Sequence, residues 1–176
     1  MVQYEEPKYS LVASFDNFEI RRYEQSIMAI TERSSSNYQG SSSGFQIIAN
    51  YIFGGNISGQ RIAMTAPVHI WNEGSEIPKL AFTMPSQYSL SDLPEPNDSR
   101  VKISLNEETE VAVWKFSGLA GNSKTLRLIS KFETILKEEG IEIAGDPKLA
   151  IYDNPWSTLP FARRNEIQIP VRYDIE

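Results

Sequence analysis

The chain offers little to a chemist looking for catalysis. It has a single histidine, His69, within Thr65-Ala-Pro-Val-His-Ile70, and no cysteine among its 176 residues. Thiolate zinc sites, iron–sulfur clusters, disulfide frameworks and cysteine nucleophiles are therefore excluded, as is a two-histidine metal site within the chain. A serine triad would need a nucleophile on a strained turn such as G-x-S-x-G, which is absent. Haem iron needs only one axial ligand, but a lone histidine on a strand more often sits on a surface or in a hydrogen-bonded core. Gly54-Gly-Asn-Ile-Ser-Gly59 lacks the lysine and the Ser/Thr of a phosphate loop. Those glycines follow a helical pattern rather than opening one, so they read as a helix stop. The carboxylates are scattered. Asp153 and Glu166 border one late loop, and a salt bridge of Glu166 with Arg163 or Arg164 is the expected use of that pair.

What stands out instead is apolar. Met64, Phe82, Met84, Tyr88, Trp156 and Phe161 lie near Pro67, Pro85, Pro155 and Pro160, at strand ends and in loops. Proline-stiffened loops carrying aromatics suit a preformed apolar groove, or else a plug folded over the end of a barrel.

The elements that must position these residues can be read from periodicity. Residues 9–32 are strand-like, with Asp16-Asn17 as a turn. A Ser/Gly loop, 34–44, precedes Phe45, Ile48, Ala49, Ile52 and Phe53, which form one stripe of a helix stopped by Gly54-Gly55. Strands are expected at 60–72 and 79–84. The order then repeats: strands at 101–105 and 110–116, a small-residue loop, and a helix over 123–139 with the stripe Leu128, Ile129, Phe132, Ile135, Leu136. Gly140 ends that helix, and strands follow at 147–153 and 165–174. The expected architecture is one α+β domain spanning 1–176. Its antiparallel sheet is curved and barrel-like and falls into two similar halves, about 9–92 and 99–174, each with one α-helix.

Composition narrows the partners. Seventeen basic against 23 acidic residues give a net charge of −6, which repels a phosphate backbone and argues against nucleic acid. No apolar run approaches the ~20 residues that span a bilayer. The polar, acidic start has no signal-peptide pattern, so a cytoplasmic location is expected, and the sequons at Asn56 and Asn97 count as chance matches.

Four stretches resemble the SOUL, or haem-binding protein, family. They are Phe18-Glu-Ile-Arg-Arg-Tyr23; Phe45 through Asn56 followed by Ile62-Ala-Met-Thr-Ala-Pro-Val68; Phe82-Thr-Met-Pro-Ser-Gln-Tyr88; and Tyr152-Asp-Asn-Pro155 with Arg163-Arg-Asn-Glu-Ile167. They stand in the family's order over about residues 6–173. The resemblance implies a distorted antiparallel β-barrel of two similar halves with two flanking α-helices, which binds haem or a related tetrapyrrole, non-covalently, in a shallow apolar groove. By position the groove walls would be Phe45, Ile48, Ala49 and Ile52 on the first helix, with Trp156 and Phe161 on the loop before the last strand. Arg163, Arg164 and Arg61 would be the cations for the propionates. A histidine proposed as ligand in one branch of the family has no counterpart here, so side-chain ligation of the iron is not expected. Carrier or buffer is the implied role. The alternatives are a protein- or small-cation-binding module like the gyrase-inhibitor-like barrels, whose cleft features a buried acid, and an enzyme acting on tetrapyrroles, which no acid–base or metal constellation supports.

Overall fold

The computed structural model describes residues 3–39, 42–153, 159 and 162–173. The chain runs β1 (Tyr9–Ser14), β2 (Glu19–Tyr23), β3 (Ser26–Glu32), α1 (Ser42–Ile52), β4 (Val68–Glu73), β5 (Ile77–Thr83), β6 (Lys102–Asn106), β7 (Thr109–Ser117), α2 (Asn122–Glu138), β8 (Glu142–Ile143), β9 (Lys148–Ile151) and β10 (Arg164–Arg172). All the strand pairings are antiparallel, and nine strands lie on one path, β1-β2-β7-β10-β9-β4-β5-β3-β6, with β8 added beside the end of β10. The sheet is curled into a half-barrel with two helices, the α+β distorted barrel read from the sequence.

The strand order has an internal symmetry. Exchanging β2 with β6, β3 with β7, β4 with β9 and β5 with β10 returns the path from β2 to β6 read backwards. Strands are also traded across the middle of the chain: β2 pairs with β7, and β6 pairs with β3. The two ends of the curled sheet are therefore tied together by the short links Glu24-Gln25 and Glu107-Glu108, and Gln25 Nε2 donates to Glu107 Oε2 at 3.0 Å.

Because strand side chains alternate between faces, each strand serves two environments. One face carries Ile20, Ala29, Ile70, Leu80, Phe82, Ala112, Leu149, Ile167 and Ile169, all fully or nearly fully buried. Against it pack Ile48, Tyr51 and Ile52 of α1 and Ile129, Phe132 and Leu136 of α2 in one apolar core. Phe132 stands edge-on to Trp114, with ring centroids 5.5 Å apart. The helices thus close the outer face of the curl, and the neighbouring residues of each strand line its inside.

Details differ from expectation for local reasons. β4 starts at Val68 rather than near 60, because Pro67 brings no N–H to a ladder and the chain before it runs irregularly. The two-residue strand β8 is too short to leave a periodic signal. The Ser/Gly loop before α1 is pinned by the buried Arg33 guanidinium, which donates to the carbonyls of Lys79, Asn37 and Trp71 and to Asn72 Oδ1. After α1, Gly54 adopts φ +111°, a left-handed conformation that stops the helix cheaply only in glycine. Asn56 braces this stop, its Nδ2 donating to the carbonyls of Tyr51 and Gln60.

Candidate functional site

Two surfaces can hold a ligand, one outside the curl and one inside. Outside, α1 turns Ile48, Ala49 and Ile52 toward the sheet, where they are 0%, 8% and 1% exposed. The apolar groups that α1 and its end present to solvent are Phe45, 38% exposed, and Phe53, 52% exposed. Phe45 and Phe53 are eight residues apart and make a row about 12 Å long, with Ala49 between them in sequence but turned toward the sheet. The row is a shallow saddle with an aromatic ring at each end. Phe45 leans on Phe82, ring centroids 5.5 Å apart, which fixes one end. At the other, the Arg61 guanidinium lies 5.7 Å from the Phe53 ring centroid, placing a cation at the rim.

Inside the curl, the alternate residues of the strands form a polar network. Arg21 and Glu166, 3% and 2% exposed at the side chain, make an ion pair of 3.0 Å across 145 positions of sequence. Arg21 also donates to Glu19 Oε1 at 2.7 Å and Tyr23 OH at 2.8 Å and sits 4.3 Å from the Tyr9 ring centroid. Burial works against the Arg21 charge, but Glu166, Tyr23 and Glu19 outweigh it and hold its pKa above the ordinary value. Tyr152 OH donates to Glu166 Oε1 at 2.6 Å, and burial followed by the Glu166 charge pushes the Tyr152 phenol up. The same two causes, in the same order, raise Tyr23 to about 12. Both phenols are therefore neutral donors and acceptors near neutrality.

The network ends at His69. Glu166 as a carboxylate can only accept, so the Gln168 amide must point its Nε2 there, at 2.9 Å. That leaves Gln168 Oε1 facing His69 Nε2 at 3.0 Å, which places the imidazole proton on Nε2. His69 Nδ1 is then a bare acceptor, and it is buried without a hydrogen-bond partner. Burial, and secondarily the nearby Lys148 charge, lowers the His69 pKa to about 4, so the ring is neutral. His69 and Lys148 both line a chamber of about 180 Å³ inside the curl, together with Met28, Pro67, Thr83 and Tyr152.

The family model described as SOUL heme-binding protein matches residues 4–170. This chain belongs to the SOUL heme-binding protein family. Haem or tetrapyrrole binding is the activity that membership suggests. No curated protein matches the sequence. Among solved structures, a hydrolase from Listeria innocua is 14% identical with a TM-score of 0.59, over 91% of this chain and 94% of that one. The C-terminal domain of EcmrR is 10% identical with a TM-score of 0.66, over 93% and 98%. SAV2435, solved bound to tetraphenylphosphonium, is 11% identical with a TM-score of 0.53, over 88% and 93%. At these identities the likeness is one of fold.

For this SOUL chain the residues expected from the sequence fall into three groups. Phe45 lies on the solvent-facing row, whereas Ile48, Ala49 and Ile52 are part of the buried interior. Phe82 and Met84, 1% and 4% exposed, are also buried, while Met64 and Tyr88 pack partly buried against the same core. Trp156 and Phe161 lie outside the described residues. Arg163 is partly buried just ahead of β10. The expected Glu166 partner needs correction: the ion pair it makes is with Arg21, and the Arg164 guanidinium reaches Glu6 at 2.6 Å and stacks over Tyr152 at 3.9 Å. Asp153 does not converge with Glu166 on a shared task; it accepts the backbone N–H of Arg164. A buried acid does exist, on a strand rather than in a helix stripe, but it is already neutralised.

The fit of haem follows from these placements. The saddle offers apolar surface with Arg61 at its rim, which suits a flat macrocycle with carboxylate tails. Iron ligation by the chain's one histidine does not fit, because His69 is 7% exposed and enclosed by the sheet, in a chamber far smaller than a macrocycle. Among the described residues, no group of three or more His, Asp or Glu is placed to hold a metal ion, and no helix is long and apolar enough to cross a membrane.

Proposed function

We propose that this protein binds haem or a related tetrapyrrole without catalysis, on the saddle between the exposed rings of Phe45 and Phe53, as a carrier or buffer. The supporting observation is that aromatic row, left open to solvent beside a cation on a helix that otherwise buries Ile48, Tyr51 and Ile52. Solvent exclusion supplies the affinity: covering ~300 Å² of apolar surface at ~25 cal/mol per Å² gives about 7 kcal/mol. Association takes several kcal/mol back, leaving micromolar or weaker binding. Arg61 is suited to a propionate, its guanidinium pairing two-to-two with the carboxylate. Binding of a lipophilic cation, such as the tetraphenylphosphonium held by SAV2435, is the weaker reading, since the buried acid Glu166 is engaged by Arg21 at 3.0 Å.

Titration with haemin is the test. A saturable Soret shift with micromolar affinity is expected, reduced by Phe53→Ser and unchanged by His69→Ala. A flat titration to tens of micromolar, or a loss of binding in the His69 variant alone, overturns the proposal.

A further inference from the structure

The chamber inside the curl is a second site, physically separate from the saddle because the sheet stands between them. Among the described residues that line it, Lys148 is the one ionised side chain, because His69 is neutral there. Behind the wall, Arg21 and Glu166 cancel one another at 3.0 Å. β9 sets Lys148 on the inner face, in register with Trp71 of β4 on one side and Gln168 of β10 on the other. Its ammonium stands 4.4 Å from the Trp71 ring centroid. What that ammonium lacks is an anion. Lys79, which neighbours the same tryptophan from β5, has Glu73 at 3.6 Å and Glu32 at 4.0 Å. Lys148 has no such partner among the described residues. Asp146 and Glu73 favour its charge only from a distance, and both are engaged elsewhere, Asp146 by the backbone N–H of Gly74 and Glu73 by Lys79. Burial outweighs them and lowers the Lys148 pKa. A cation placed this way has given up hydration without a counter-charge, and a ring face offsets only part of that loss.

Size and the remaining walls define the visitor further. A cavity of roughly 150 Å³ is enough for a benzene ring, so about 180 Å³ admits one ring with a single substituent. Met28, Pro67 and Val111 give it apolar walls. The approach does not decide the charge. An adjoining outer cleft of about 480 Å³ shares Pro7 with the chamber and carries Lys8 beside Glu5, Glu6 and Glu24, and Glu6 is already paired with Arg164 at 2.6 Å. The wall decides it, because an enclosed ammonium is screened far less than a charge in open solvent.

We propose that the chamber binds a small apolar carboxylate, up to benzoate in size, which pairs with Lys148 Nζ and packs its ring or alkyl tail against Met28, Pro67 and Val111. The site is independent of tetrapyrrole binding on α1. It discriminates between isosteres by charge: a neutral molecule of the same shape enters but leaves the ammonium unpaired, which costs about tenfold in affinity or more. A cation of that shape meets like charge and is rejected further.

The test uses the full chain and three probes of nearly one shape: benzoate, nitrobenzene and benzamidinium. His69 lines the same chamber and is the single histidine, so its ring-proton NMR signals report occupancy without ambiguity. Benzoate should shift them saturably and bind about tenfold more tightly than nitrobenzene, with benzamidinium weakest. Lys148→Met keeps the stem, removes the charge and should bring benzoate down to the level of nitrobenzene, whereas Lys148→Arg should keep the order of the three. The wild-type comparison needs no variant and stays decisive if either of these folds poorly. Haemin should leave the benzoate shift unchanged. A His69 spectrum that no probe moves would leave the chamber without a ligand of this size. Equal affinity for the three probes would reduce it to an apolar void, and tightest binding of benzamidinium would hand control to the cleft carboxylates. A benzoate preference that survives in a folded Lys148→Met protein would belong to another cation. Displacement of benzoate by haemin would place the probe beside Arg61 on the saddle. Each of these results overturns the proposal.

Discussion

The two faces of the curled sheet are buried to a similar depth and organised on opposite principles. The outer face is apolar. Ile167 and Ile169 of β10 lie against a core closed by α1 and α2, and their partners are interchangeable in chemistry if not in shape. The inner face carries the residues one step away in the same strand, Glu166 and Gln168, whose contacts are directional, beside a smaller apolar cluster of Met28, Trp71 and Ala81. A mistake on the outside leaves a cavity, whereas a mistake on the inside leaves a charge or a lone pair with no partner. The first is graded by volume and the second by electrostatics, so the inner face should tolerate fewer substitutions and respond more to pH.

The largest test breaks the inner face at its ion pair. Arg21→Met leaves Glu166 buried and unpaired and should cost about 3–5 kcal/mol in urea unfolding. Adding Glu166→Gln, which keeps an oxygen for Tyr152 and Gln168, should recover most of that loss. If the double variant is no more stable than the single one, the penalty came from packing and the two faces do not differ as described.

Next in size is the pH response. The folded His69 pKa of about 4 lies below its ordinary 6.5, so between those values the unfolded chain binds a proton that the native chain refuses. The stabilisation is full above about pH 7 and falls as pH drops from 6.5 to 4. The loss, about 3 kcal/mol, follows from ~1.4 kcal/mol per pKa unit. His69→Phe should flatten this part of the profile, as measured by chemical denaturation across pH.

On the outer surface, Phe53→Ser should weaken haemin binding about five- to tenfold, through lost apolar contact, while moving the unfolding midpoint little, since Phe53 is half exposed. The smallest effect is expected from Gly54→Ala. A side chain at φ +111° is strained, so about 1 kcal/mol of stability should be lost, read from the urea unfolding midpoint.

The outer face was largely legible in the sequence. Apolar spacing marked both helices, Gly54-Gly55 and Gly140 marked their ends, and hairpin turns implied antiparallel pairing. Periodicity could not say which side of the first helix faces water, so Ile48, Ala49 and Ile52 were grouped with Phe45 although only Phe45 is substantially exposed. The inner face was illegible for a different reason: Arg21 and Glu166 are 145 residues apart, and nothing local couples them. A trace was present, however. Glu166 and Gln168 alternate with Ile167 and Ile169, a polar period-2 pattern that elsewhere signals solvent. It signals an interior here because β10 is paired on both sides, by β7 and β9, within a sheet that curls.

That central placement of β10 bears on how the molecule is made. The last strand in chain order is inserted between two strands already laid down rather than appended to an edge. During synthesis β7 and β9 must each wait with one unmatched edge until residues 164–172 emerge, although their pairings with β2 and β4 need nothing from those residues. A nascent chain stalled before β10 would carry two open edges, a sticky intermediate that residues 164–172 close in one step.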